Sequence, residues 1–169
     1  MDQALSDGTT ALLDQAAGIC ARRGARLTPL RREVLALVLD SAKPAGAYDL
    51  LDQLRTSHKG AAPPTVYRAL DFLCEHGLIH KVERLAAFVG CVHPPEDDHQ
   101  HHAGRFLICT RCGRVTEFED RSIEKALHKA ALRSGFVQQR ATIEVEGLCA
   151  ACAEAASGRV IPGIENSSH

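Results

Sequence analysis

Tryptophan is absent from this 169-residue chain, and aromatic residues make up only 4% of it. Any core it buries must therefore be mainly aliphatic. No apolar run approaches the ~20 residues that a membrane-spanning helix needs, so no membrane partner is expected. The opening Met1-Asp2-Gln3 is acidic and polar, unlike a secretory leader. The expected location is the cytoplasm, where seven cysteines suit metal better than disulfides. A net charge of −1 gives no overall basic excess for nucleic acid. A His-Glu-x-x-His motif is missing as well, and nothing points to a small organic substrate.

Local patterns say more than these totals. From Gln15 to Arg32 there is no acidic residue, yet Arg22, Arg23, Arg26, Arg31 and Arg32 all fall there. Acids gather instead at Glu96-Asp97-Asp98 and at Glu117-Phe118-Glu119-Asp120. A near-neutral protein can thus carry a basic face for a phosphate backbone, although a solvated arginine-rich turn is the plainer alternative.

Apolar periodicity predicts a helix through Leu12, Leu13, Ala16, Ile19 and Cys20 that ends near Gly24. Thr28-Pro29 supplies a capping hydroxyl and a first-turn proline for a second helix running to Ser41. A third helix follows from Tyr48 to about Ser57. A fourth opens at Pro64, keeps Val66, Leu70, Leu73 and Cys74 inward and stops at Gly77. Two short strands, 78–82 and 86–89, complete the outline of a winged helix-turn-helix. The outer face of the fourth helix shows Thr65, Tyr67 and Arg68. Early recognition-helix residues reach base edges in the major groove, and arginine can donate twice to guanine.

Past Cys91 the composition changes. Residues 85–98 read as a hinge and inter-domain loop between a DNA-binding domain (1–84) and a small α/β domain (99–155). Strands are expected over 105–109, 114–118 and 136–146. A helix over 122–134 should turn Ile123, Ala126, Leu127 and Ala130 inward. Residues 156–169 are expected to be a disordered tail. A core this small would gain from zinc and from a partner subunit. The predicted class is α+β.

The densest chemistry lies between His80 and Glu117. That stretch holds His80, Cys91, His93, His99, His101, His102, Cys109, Cys112 and Glu117. Cys109-x-x-Cys112 and Cys149-x-x-Cys152 together offer four thiolates, the ligand set of a closed tetrahedral structural zinc. A redox Cys-x-x-Cys needs only one pair and a different context. The other ligands fit a second site that takes His80 from one domain, Cys91 from the border and Glu117 from the other. His99, His101 or His102 would complete it. An ion held that way links domain orientation to metal occupancy. The Cys91 thiolate softens the site toward zinc. It would also fill the position that a catalytic water needs, against a zinc hydrolase.

Arg26-Leu27-Thr28-Pro29-Leu30-Arg31, Pro64-Thr65-Val66-Tyr67-Arg68-Ala69-Leu70, Gly77-Leu78-Ile79-His80-Lys81-Val82 and Cys109-Thr110-Arg111-Cys112-Gly113 resemble the signature segments of the ferric uptake regulator family. The resemblance covers roughly residues 10–155. Ala47-Tyr48-Asp49-Leu50-Leu51 and Gly147-Leu148-Cys149-Ala150-Ala151-Cys152 are most similar to its zinc uptake regulator branch. It implies a homodimeric, zinc-responsive repressor of AT-rich palindromic operators, with a winged helix followed by an α/β dimerisation domain and two zinc ions per subunit. An iron- or peroxide-responsive repressor of the same family is the alternative. A metal-storage or adaptor module lies further off. By resemblance Tyr67 and Arg68 belong to the recognition helix, with Thr65, Arg26 and Arg31 beside the DNA. Cys109, Cys112, Cys149 and Cys152 would hold structural zinc, and His80, Cys91, His102 and Glu117 regulatory zinc. His102 is chosen for its place seven residues before Cys109. The loop from Pro94 to His102 is longer and richer in histidine than the family pattern, which leaves room for a further weak site at His93, His99 or His101.

Overall fold

Thr28 caps the second helix, because its hydroxyl lies 3.5 Å from the amide of Arg31 and Pro29 occupies the first turn. Such local signals set the element boundaries in a computed structural model that describes residues 7–91, 104–139 and 141–157. Helix α1 spans Asp7–Arg22, α2 Pro29–Asp40, α3 Ala47–Leu54 and α4 Pro63–Glu75. Gly77 (φ 67°) ends α4 in a left-handed turn, with the Leu78 amide returning to the Leu73 carbonyl at 2.9 Å.

One aliphatic cluster fills this first unit, running from Leu13 and Ile19 through Val34, Leu35 and Leu50 to Leu70 and Leu73. Its sheet joins β1 (Ala45–Gly46), β3 (Ala87–Gly90) and β2 (Ile79–Val82) in that order, all antiparallel. A 3-10 turn, Glu83–Leu85, connects β2 to β3. The sequence boundary at residue 84 therefore falls inside a hairpin, and the wing runs on through Gly90.

The second unit orders its strands β5 (Val115–Glu117), β4 (Arg105–Cys109) and β6 (Ile143–Gly147). β5 is antiparallel to β4 and β6 parallel to it, with α5 (Arg121–Arg133) between β5 and β6 in the chain. Asp120 caps α5 by accepting from the amides of Ser122 and Ile123. Its hydrogen bonds with Ser122 and Ile123 hold its carboxyl below the usual range. A last helix, α6, spans Ala150–Ser157, so residues 156 and 157 are helical where a disordered tail was expected.

Two further expectations fail in this unit. The alternation over 136–146 becomes a strand only from Ile143. Helix α5 buries none of its residues, and Leu127 is 38% and Leu132 58% exposed. The amphipathic pattern is real, but nothing in the described chain covers its apolar face. Of the side chains the unit does bury, Phe106 and Ile108 pack on Val82 of the wing, and Cys109 follows them on β4. The small sheet thus completes its core with a residue of its neighbour.

Candidate metal centres and DNA-facing helix

Parallel pairing brings the two Cys-x-x-Cys segments together. β4 and β6 run the same way with Cys109 opposite Gly147, so both knuckles leave the sheet at one end. Gly113 (φ 71°) closes the first knuckle, with the Cys109 amide donating to the Arg114 carbonyl at 2.9 Å. Thr110 donates to the Gly147 carbonyl through both its amide and its hydroxyl, and Arg111 donates to the Cys152 carbonyl. These bonds stitch one knuckle to the other. The sulfurs of Cys109, Cys112, Cys149 and Cys152 consequently lie within 4.8 Å of one another. That is a donor set a tetrahedral zinc could take.

The thiols differ in acidity. The Cys109 thiol is drawn down to about 6, chiefly by the backbone N–H of Cys149 and then that of Cys112, which favour a thiolate. Cys152 is pushed up to about 12, first by hydrogen bonding with Cys149 and then by burial. One thiolate is preformed, and the proton on Cys152 must leave when a cation enters.

The second cluster gathers residues from three places. His80 sits on β2, paired with Val89. Cys91 follows β3 and extends that ladder, its amide donating to the Leu78 carbonyl at 3.1 Å. Glu117 ends β5 in the other unit. One donor atom from each lies within 4.8 Å of the others. His80 is 8% exposed and Cys91 3%. The His80 Nε2 stands 3.2 Å from Glu117 Oε1, yet it is buried without a hydrogen-bond partner among the described residues. Buried imidazole nitrogens are normally satisfied. A nitrogen, a sulfur and a carboxylate converging around such an atom fit a shared cation. The fourth expected ligand, His102, lies outside the described residues with His93, His99 and His101.

Two positioning residues carried no sequence signal. The Phe106 ring meets the His80 imidazole edge-on, with centroids 5.7 Å apart. A Cβ on Gly104 would come within 2.6 Å of that ring and 3.5 Å of His80 Nδ1. Only glycine leaves room there for both rings. Either residue could have been found only by knowing that the start of β4 lies against the wing at His80.

On α4, Tyr67 is 43% exposed and Arg68 is exposed beside it, while Thr65 is half-buried. Arg26 is exposed as well. Arg31 places its guanidinium 3.6 Å over the Phe72 ring and donates to the Arg26 carbonyl at 2.8 Å. It thereby braces α4. Arg23 donates to the His76 carbonyl and Arg32 pairs with Asp14. Three of the five arginines thus have internal work.

Comparison with known proteins gives these features a context. The model of the ferric uptake regulator family matches residues 22–146. The zinc uptake regulation protein of Escherichia coli (strain K12) is 47% identical over 146 residues, covering 86% of this chain and 84% of that protein. Among solved structures, a zinc uptake regulator complexed with zinc and DNA is 46% identical, with a TM-score of 0.81 over 88% of this chain and 97% of that one. The crystal structure of holo XcZur is 47% identical, with a TM-score of 0.76 over 85% and 97%. From fold, clusters and these likenesses together, the chain belongs to the ferric uptake regulator family.

Proposed function

We propose that this chain is a zinc-responsive repressor. As a homodimer it binds AT-rich palindromic operators of zinc-uptake genes when its second metal cluster is loaded. Zinc held by Cys109, Cys112, Cys149 and Cys152 staples the small unit, giving two ions per subunit with the regulatory one. Regulatory zinc is held by His80, Cys91, His102 and Glu117. The observation that carries this reading is the meeting of His80 and Glu117, from two units, around Cys91 at their junction. The hydrolase alternative is set aside, since the family is one of transcriptional regulators.

The dimer reading is supported by apolar surface. Leu107 and Val145 are paired across β4 and β6 and are 46% and 47% exposed. That pair, and the exposed Leu127 of α5, are apolar surface that a second copy would cover. In such a dimer the spacing of two α4 helices must match two major-groove half-sites. Zinc that closes the cross-unit cluster favours one wing orientation. Operator affinity then gains what zinc contributes differently to the closed and open forms, typically ~1–3 kcal/mol per site. The Cys91 thiolate favours zinc over iron, whose usual donors are harder.

The test is fluorescence anisotropy of a labelled AT-rich palindrome against buffered free zinc, with the four-cysteine zinc left in place. Wild type should bind steeply as zinc rises, and Cys91→Ser should require far more zinc or fail. Equal binding by both proteins at every zinc level would refute the reading, and iron would be the next ion to titrate.

A further inference from the structure

The register of the second sheet orders the seam between the two units. Glu117, Phe106 and Glu144 stand opposite one another across β5, β4 and β6. Directly opposed residues on paired strands share a face of the sheet. Each of the three meets the wing. Glu117 faces His80 at 3.2 Å, and Phe106 meets the edge of the same imidazole. The Glu144 carboxylate accepts from the amides of Glu83 at 2.6 Å and Arg84 at 3.0 Å. Two residues along, the pattern repeats. Ile108 packs with Val82, and its partner Glu146 pairs with Arg84 Nε at 2.5 Å.

The two glutamates of β6 are not equivalent. Glu146 meets a side chain in a pair whose members are 43% and 65% exposed, an arrangement that contributes little. Glu144 takes two backbone donors of the turn itself, which are charge-assisted and cost no side-chain ordering on the donor side. His80 lies on β2, and Glu83 opens the turn that β2 runs into. A hold on Glu83 and Arg84 is therefore a hold on the strand that carries His80.

We propose that Glu144 is a positioning residue of the zinc switch. It docks the wing turn on β6 and so sets His80 against Glu117 before the ion arrives. The inference rests on the regulator reading above. With the wing docked, zinc closes a site already assembled. Without that hold, zinc must also order the wing, and more free zinc is needed to reach the same operator affinity. Glu144 acts without touching zinc or DNA.

Full-length wild type, Glu144→Ala, Glu144→Gln and Glu146→Ala, each with its four-cysteine zinc, would be compared in two measurements. The first is operator anisotropy against buffered zinc, and the second is hydrogen exchange at the Glu83 and Arg84 amides. Glu144→Ala should raise the zinc midpoint about tenfold, Glu144→Gln about threefold and Glu146→Ala by less than about twofold. Saturating zinc should restore most of the DNA affinity, which a lost DNA contact would not allow. The two amides should exchange faster in Glu144→Ala. A shared zinc midpoint for Glu144→Ala and a zinc-responsive wild type would overturn the proposal, as would unchanged exchange at those amides. A wild type indifferent to zinc would instead defeat the regulator reading, and the exchange measurement would still decide whether Glu144 holds the turn. Should the alanine variant fail to keep its four-cysteine zinc, the glutamine variant carries both measurements.

Discussion

The two metal clusters differ in where their donors come from. The four cysteines belong to one sheet, and parallel pairing of β4 and β6 delivers both knuckles to the same end. His80, Cys91 and Glu117 come from both units and from the chain between them. An ion in the first cluster ties together parts that pairing has already placed side by side. An ion in the second would select how two bodies lie against each other. On the proposed reading the first cluster would be a staple and the second a switch, and where the donors come from makes much of the difference.

The largest effect expected from breaking this contrast is at the staple. Cys112→Ser should release the four-cysteine zinc and unfold the second unit, because Phe106 and Ile108 give it little core of its own. Amide exchange should rise across residues 104–157 while α2 and α4 keep their protection. Cys91→Ser, by contrast, should leave exchange in both units near wild type. If the two variants unfold alike, the distinction between staple and switch collapses.

Phe106→Ala should come next. The ring is fully buried and touches both the wing core and His80, so its loss should cost ~3–5 kcal/mol in chemical denaturation. It should also weaken the zinc response of DNA binding while leaving the zinc content of the four-cysteine cluster unchanged. A loss of both metals together would mean that the seam supports the staple too.

Much of this was legible in the sequence, and the limits of that legibility have physical causes. The Cys-x-x-Cys pairs, the Thr28-Pro29 cap and the Gly77 stop are short-range signals, readable without knowing the fold. The density of ligands from His80 to Glu117 pointed to a second candidate cluster, and His80, Cys91 and Glu117 do come together. Gly104, Phe106 and Glu144 were invisible because their roles depend on which residues face each other across strands far apart in the chain. Helix α5 was read half correctly. Its periodicity says that one face is apolar, but not whether this chain or another copy covers it. The two-residue β1 was too short to show a period, and α6 is built almost wholly of small residues that mark no apolar stripe.

The smallest effect concerns protons and again separates the two clusters. Cys109 has a folded thiol near 6, well below its ordinary value of 9.0. Its thiolate therefore stabilises the fold fully only above the ordinary thiol range, and that contribution is lost as pH falls through about 6. Zinc affinity of the four-cysteine cluster should accordingly drop more steeply below that point. Cys152, held near 12, keeps its proton at neutral pH and must release it on zinc uptake. A weakly buffered indicator should register that release when apo protein takes up its first zinc. Uptake without proton release would mean that the Cys152 thiol is already ionised.

The central claim is that zinc in the cross-unit cluster and operator DNA favour the same arrangement of the two units. Thermodynamic linkage then works in both directions. The direct measurement is the affinity of the second zinc equivalent, by chelator competition, with and without a saturating palindromic operator. The account predicts that DNA tightens this zinc by the same factor by which zinc tightens DNA, about 10- to 100-fold. Equal zinc affinity in free and DNA-bound protein would contradict it.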